Sequence, residues 1–380
     1  MFNKKLIALF LVLTMMLAVF AGCTPKEEPA KTEEPKTEEK AEKAEEKEEV
    51  KEEPKEEKEE PAAEASGDKK NVAVFYYTYG DTYISTVRNA FNELVAKDDN
   101  VELAEYDGQN DQAKQNDQID VAIQKGADIL VVNIVDMGAA DIVIEKAKNA
   151  DVPIIFFNRE PTDGNIYDTY DKARFVGTKI EEAGFLQGEL IADYWKEGEH
   201  DRNGNGKLDF VLLHGGIDNA EAVARSKYSV EALEEAGIEV NKIAEQIAEW
   251  DNAKALTAME SWLAKDADNI DVVIANNDGM AIGALTALQA QGLNMVVDGK
   301  IDPAKYVGVF GVDATEEAQK VINDLAMTGT VKQDNVAMAT AIHAMMQNSL
   351  QGKDFIDGTD YKYDESGIAV RIPYVPYEAQ

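Results

Sequence analysis

From Asn71 onward, short apolar runs alternate with longer amphipathic stretches. The runs Val72–Tyr77, Ile129–Asn133, Ile154–Asn158, Phe210–Leu213, Val272–Ala275 and Val307–Val312 place apolar residues on consecutive positions, as strands buried on both faces of a parallel sheet do. Between them lie stretches with helical spacing: Ile84–Ala96, Gln112–Lys125, Asp141–Ala150, Ile180–Trp195, Glu221–Ala236, Ala253–Ala264, Met280–Ala290 and Thr315–Leu325. This alternation predicts an α/β chain of doubly wound parallel sheets with helices on both faces. At about 310 residues the segment exceeds one comfortable core, which predicts two lobes.

The stretch Asp271–Asp278, reading DVVIANND, carries the functional logic. In parallel sheets ligands bind beyond the carboxyl ends of the strands. Asn277 is therefore predicted to face a crevice, and Asp271 to lie roughly 20 Å away at the other end. Strand after strand ends in amides or carboxylates: Tyr79–Asp81, Asn133, Asn158, Asn277 and Asp313. Asp and Asn also cap following helices, which accounts for some of this. A crevice lined by such groups suits a neutral polyhydroxylated ligand, because each hydroxyl both donates and accepts.

The first 70 residues change the setting. Lys4 and Lys5 precede an apolar run from Leu6 to Ala21, the pattern of an export signal over residues 1–23. Cys23 is the only cysteine, so no internal disulfide is possible. Its place after Ala21–Gly22 resembles a bacterial lipoprotein box, which makes Cys23 the expected lipidation site and the outer face of the cell membrane the expected location. Phe20 stands where Leu or Val is commoner. Residues 24–70 are Lys, Glu, Pro and Ala and read as a solvated tether. The chain has 38 basic and 73 acidic residues, net −35, which argues against nucleic acid or anionic lipid as a partner. No second apolar run is long enough to span a membrane.

A loop pattern points to a metal. Asp201, Asn203, Asn205 and Asp209 occupy the first, third, fifth and ninth positions of an EF-hand-like loop, with Gly206 at the sixth and the Lys207 carbonyl at the seventh. The twelfth position, where a bidentate Glu belongs, is Leu212. A metal-free Asn/Gly turn can mimic the same pattern.

Four runs together resemble one family. They are Gln109–Asp120, Val152–Pro161 (VPIIFFNREP), Val273–Asp278 (VIANND) and Val370–Tyr374 (VRIPY). They are similar to the bacterial D-galactose/D-glucose-binding proteins of ABC import systems, and the likeness covers nearly all of 71–380. The resemblance implies a type I periplasmic-binding-protein fold, with three crossing segments near Gly177, Lys332 and Arg371. One lobe would be 71–177 plus 333–370, the other 178–332 plus 371–380. It implies sugar contacts from Asp81, Tyr83, Asn158, Arg225, Trp250, Asn277 and Asp313, with Tyr83 and Trp250 on opposite sugar faces. Two places depart from the family: Asn219-Ala-Glu221 replaces His-Pro-Asp, and Gln333 replaces Asn. Both remain candidate sugar contacts, as do Asn219 and Glu221 individually, and they put the exact monosaccharide in question. The resemblance also supplies the missing calcium ligand, matched here by Asp271, giving a structural calcium ion held by Asp201, Asn203, Asn205, Lys207, Asp209 and Asp271. The implied protein is a monomeric receptor that delivers glucose or galactose to an ABC permease. The alternatives are a receptor of the same fold for another sugar such as a pentose, a glycosidase using Asp81 with Asp313 or Glu221, and a sugar-responsive repressor. No GxGxxG, P-loop or HExxH supports an enzyme, and no basic helix-turn-helix precedes Asn71.

Overall fold

The computed structural model describes residues 69–379. The export signal, Cys23 and the tether up to residue 68 lie outside the described residues. Two six-stranded sheets organise the rest.

The first lobe runs β1 (Lys70–Tyr76), α1 (Thr82–Val95), β2 (Val101–Asp107), α2 (Gln112–Gln124), β3 (Ile129–Val132), α3 (Ala140–Asn149), β4 (Ile154–Phe157) and β5 (Ala173–Gly177). The second runs α4 (Glu182–Glu197), β6 (Leu208–His214), α5 (Ala220–Glu235), β7 (Val240–Ile247), α6 (Asn252–Asp266), β8 (Val272–Ala275) and α7 (Asp278–Ala290). It continues through a small hairpin, β9 (Val296–Val297) with β10 (Lys300–Ile301), to β11 (Gly308–Asp313), α8 (Glu316–Asn323) and β12 (Gly329–Gln333). The chain then returns to the first lobe as α9 (Asn335–Leu350) and β13 (Ala369–Arg371), and ends in the second as β14 (Tyr374–Glu378). It thus passes between sheets after Gly177, after Gln333 and after Arg371.

The first sheet has the order β13-β5-β4-β3-β1-β2, all parallel. The second has the order β14-β12-β11-β8-β6-β7, parallel except for β14 against β12. In each lobe the strand order reverses between its first and third strands, β1 and β3 or β6 and β8. Such reversals leave a crevice beyond the strand ends. The period-two pleat divides each sheet's side chains between two cores. Val72, Val74 and Tyr76 pack against α1 and α9, whereas Ala73 and Phe75 face α2 and α3. In the second lobe Val211, Leu213 and Val273 join α6 and α7, whereas Phe210, Leu212 and Ile274 pack with α4.

All six sequence-expected strands form, with ends shifted by one or two residues. The elements not anticipated are mainly edge strands and the segments around the crossings. β2 (VELAEYD) and β7 (VNKIAEQI) are half-exposed edges, so charged residues interrupt their apolar runs. α9 (NVAMATAIHAMMQNSL) is apolar over most of its surface and lacks a clean amphipathic stripe. Thr315 and Asn277 cap α8 and α7 rather than starting or preceding them by chance: each side chain accepts from a backbone N–H of the first turn. Among the described residues no helix is long and apolar enough to cross a membrane.

Candidate functional site

Loops from both lobes meet at the carboxyl ends of the strands around one cavity. Asp81, Tyr83, Asn158, Asn219, Glu221, Arg225, Trp250, Asn277, Asp313 and Gln333 all line it, together with Tyr77, Ile84 and Arg159. It encloses 30 Å³. It adjoins a cleft of 920 Å³ with which it shares Tyr77, Asp81, Arg159, Asn219 and Trp250. A ring-sized solute therefore enters by a small parting of the lobes or by occupying part of the cleft.

In the first lobe, Asp81 caps α1: Oδ1 accepts from the Ile84 N–H at 2.7 Å, and Oδ2 accepts from the Tyr77 hydroxyl at 2.5 Å. The helix-cap and pocket readings of Asp81 are both true of its geometry. Tyr83 is buried, with its hydroxyl 3.7 Å from Met338 Sδ. Asn158 accepts at Oδ1 from Asn133 Nδ2 at 3.1 Å. Arg159 lies over the Tyr77 ring at 4.4 Å and donates through Nη2 to the Val135 carbonyl at 2.8 Å. Burial lowers its pKa. Nothing in its sequence position beyond adjacency to Asn158 marked it, and Tyr77 read as the last residue of a core strand.

In the second lobe, Asn219 caps α5 through the Ala222 N–H at 3.0 Å. Glu221 holds Arg225 Nη2 at 3.2 Å and accepts from the Thr178 hydroxyl at 3.1 Å. Arg225 is 3% exposed and donates further to the Asn276 carbonyl, Gln333 and Tyr374. Asn277 caps α7 through the Met280 N–H and donates to the Trp250 carbonyl at 3.3 Å. Asp313, buried beside Asp278 and Arg225, has its pKa pushed well up by desolvation, which the guanidinium only partly offsets.

Two features set this cavity apart from an ordinary interior. Three of its lining residues carry buried donors without partners: Arg159 Nε, Arg225 Nε and Gln333 Nε2. An unpaired buried donor costs about 1–3 kcal/mol, which a bound acceptor recovers. Three lining residues also hold left-handed backbone: Asn158 at φ 59°, Trp250 at φ 63° and Asp313 at φ 125°. Each is a strain of about 1–3 kcal/mol that surrounding packing must hold, and such strain gathers at binding sites. The lining supplies amides, carboxylates, two guanidinium groups and aromatic faces, with no histidine, cysteine or lysine.

The second candidate lies at the opposite ends of β6 and β8. The Asp201 carboxylate accepts from the N–H groups of Gly204, Asn205 and Gly206. Gly206 has φ 80°, the sharp turn that the loop pattern required. Asn203 and Asn205 each direct Nδ2 to Asp209, and Asn241 does so from β7. Asp271 accepts from the backbone N–H groups of Arg202 and Asp209 at 2.8 and 2.9 Å. Burial pushes its pKa up to about 6, and the neighbouring Asp209 and Asp201 charges add to that. The nearby cations are turned elsewhere: Arg202 to the carbonyls of Ala267 and Ile270, Lys207 to Glu239. Among the described residues no group of three or more His, Cys, Asp or Glu side chains is drawn together as a metal centre. The loop's carboxylates converge instead on amides.

Residues 72–354 match the family described as a periplasmic binding protein domain. Over 306 residues the chain is 37% identical to the D-galactose/methyl-galactoside binding periplasmic protein of Haemophilus influenzae, spanning 80% of this chain and 88% of that one. It is 32% identical over 320 residues to a putative rhizopine-binding protein of Rhizobium meliloti, spanning 83% and 90%. An ABC transporter solute-binding protein of Bacillus halodurans, solved with bound myo-inositol, shares 25% identity at a TM-score of 0.66, over 83% of this chain and 96% of that one. Two doubly wound sheets, a solute-sized cleft between them and a sequence match through both lobes lead to one assignment: the chain belongs to the periplasmic binding protein domain family.

Proposed function

We propose that this protein is an extracytoplasmic receptor that closes two lobes around one monosaccharide, glucose or galactose, and delivers it unchanged to an ABC importer. The observation that carries this reading is the convergence of ten residues, from both lobes and all marked by one family likeness, on one cavity whose lining includes unpaired buried donors. Hydroxyl oxygens satisfy such donors, hydroxyl hydrogens satisfy Asp81, Asn158 and Asp313, and the faces of Tyr83 and Trp250 suit the apolar faces of a pyranose. Arg159 joins the set as a donor from the first lobe. Asn219 and Gln333 are the positions where the choice among sugars is made, since losing one polar partner in such a pocket discriminates strongly.

The protein is not a hydrolase on this reading. Asp81 accepts from a helix N-terminus and Tyr77, and Glu221 from Thr178 and Arg225, an arrangement that suits fixed acceptors for a solute. The protein acts as a monomer, without nucleic acid, held to the outer face of the cell membrane by lipidated Cys23. A calcium ion sits in the Asp201–Asp209 loop with Asp271. Three carboxylates there lack a cationic partner, and the same loop carries the amide oxygens of Asn203 and Asn205, which now accept from the Asn205 and Lys207 N–H groups. The ion's role is structural.

Calorimetric and thermal-shift titration of ligand-stripped protein with a monosaccharide panel tests the receptor. Glucose or galactose is expected to raise the melting temperature and bind stoichiometrically. Silence towards every monosaccharide, or turnover of a disaccharide, overturns the reading.

A further inference from the structure

Most of the Arg225 guanidinium is already committed. Nη1 donates to the Asn276 carbonyl at 2.8 Å. Nη2 lies 2.9 Å from the Tyr374 hydroxyl and 3.2 Å from both Glu221 Oε2 and Gln333 Oε1. Only Nε lacks a partner. Behind this group the Thr178 hydroxyl stands 3.1 Å from Glu221 Oε1 and 3.1 Å from the Tyr374 hydroxyl. Thr178 has one proton to give, and a carboxylate oxygen only accepts. Thr178 therefore shares its one proton between two acceptors, Glu221 and the Tyr374 hydroxyl, while Tyr374 also accepts from Arg225. The result is a closed ring of polar contacts: Arg225, Tyr374, Thr178, Glu221 and back to Arg225.

Arg225 and Glu221 belong to α5, whereas Thr178, Tyr374 and Gln333, which also touches Arg225, come from the three places where the chain passes between lobes. Thr178 follows β5, Gln333 ends β12 and Tyr374 begins β14. All are buried, none more than 8% exposed. Thr178 and Tyr374 do not line the cavity. They touch a residue that does.

We propose that Tyr374 is a positioning residue: its hydroxyl holds Arg225 with Nε towards the cavity and couples solute binding to the order of all three crossing segments. This rests on the cavity being the sugar site. Without the hydroxyl the guanidinium can swing towards Glu221 and Gln333, and the unpaired Nε edge leaves its aim. The crossings then lose one side-chain link between them, while the backbone pairings of Ile372 with Gly177 and of β14 with β12 remain. A polar ring of this kind acts as a unit, so its deletions do not add.

The test uses Tyr374→Phe, which keeps the ring in its apolar surroundings, with Thr178→Val and the double variant. Sugar affinity is measured by calorimetry, release by stopped-flow tryptophan fluorescence, and crossing order by hydrogen exchange without ligand. Tyr374→Phe is expected to weaken binding about tenfold, mainly through faster release. Exchange is expected to rise together in 176–181, 331–335 and 371–375. The double variant is expected to bind no more weakly than the poorer single variant; losses that add in full indicate separate structural effects and overturn the proposal. Parental affinity and exchange in Tyr374→Phe also overturn it. If the parent binds no sugar yet exchange rises at all three crossings, the ring stands and the monosaccharide reading fails.

Discussion

Gly215 and the Trp250 indole are packed so closely that a methyl group on Gly215 would lie 2.4 Å from the ring. The Gly215 N–H is held by Asn276 Oδ1 at 2.9 Å, so moving its backbone costs a buried hydrogen bond. Gly215→Ala must therefore push the indole aside. Overpacking of this kind costs about 1–3 kcal/mol, so sugar affinity is expected to fall roughly tenfold to a hundredfold. Calorimetry reads the loss, and the tryptophan emission spectrum reads the displacement. Unchanged values of both would show that the indole's seat does not matter to binding.

Trp250 and Asn277 are expected to differ in what their loss does to the fold. Trp250→Ala removes a half-buried stacking face that also packs on the second-lobe core, so it is expected to abolish measurable sugar binding and to cost stability through lost packing rather than a lost cap. Asn277→Ala removes a binding group and also the cap of α7, so it is expected to abolish binding and to cost about 1 kcal/mol of stability. Calorimetry paired with urea denaturation separates the two. Parental affinity in either variant contradicts the pocket assignment.

A chelator is expected to lower the melting temperature of the parent, because an ion bound only by the folded state stabilises it by mass action. Asp271→Ala is expected to melt lower and to ignore the chelator. Differential scanning calorimetry with and without added calcium reads both. A parent melting curve that the chelator leaves unmoved removes calcium from the account.

Asp278 supplies a pH signature. It is buried, accepts from Thr330 Oγ1 at 2.6 Å and from the Thr315 N–H at 2.8 Å, and burial pushes its pKa up to about 7. A carboxyl whose folded pKa is raised favours the folded state most when both states are protonated. That contribution is complete below about pH 4 and is lost as pH rises towards about 7. The stability difference between parent and Asp278→Asn is therefore expected to shift against the parent across that window. Urea unfolding at about pH 4, 5.5, 7 and 8 checks it; a difference independent of pH contradicts the raised pKa.

Asp81, Asn158, Asn277 and Asp313 were legible because they sit at strand ends, which local apolar runs set; Tyr83, Arg225 and Trp250 were marked only by the family likeness. Val272–Ala275 leads straight to Asn277, and Ile154–Phe157 to Asn158. The fold class followed from the same alternation. The edge strands β2 and β7 were hidden because one side of each meets solvent, and α9 because its wide apolar surface carries no stripe.

What the sequence determined by itself was the list of chemical groups: which amides, carboxylates and rings follow which buried strands. What tertiary structure alone decided was their company. Arg159 and Tyr77 became cavity walls only when the lobes faced each other. Tyr374 and Thr178, 196 positions apart, meet only where the crossings run side by side. Burial and left-handed backbone at Asn158, Trp250 and Asp313 are likewise imposed by packing. Local sequence fixes which way a side chain leaves its strand. Only the pairing of distant segments decides what it finds there.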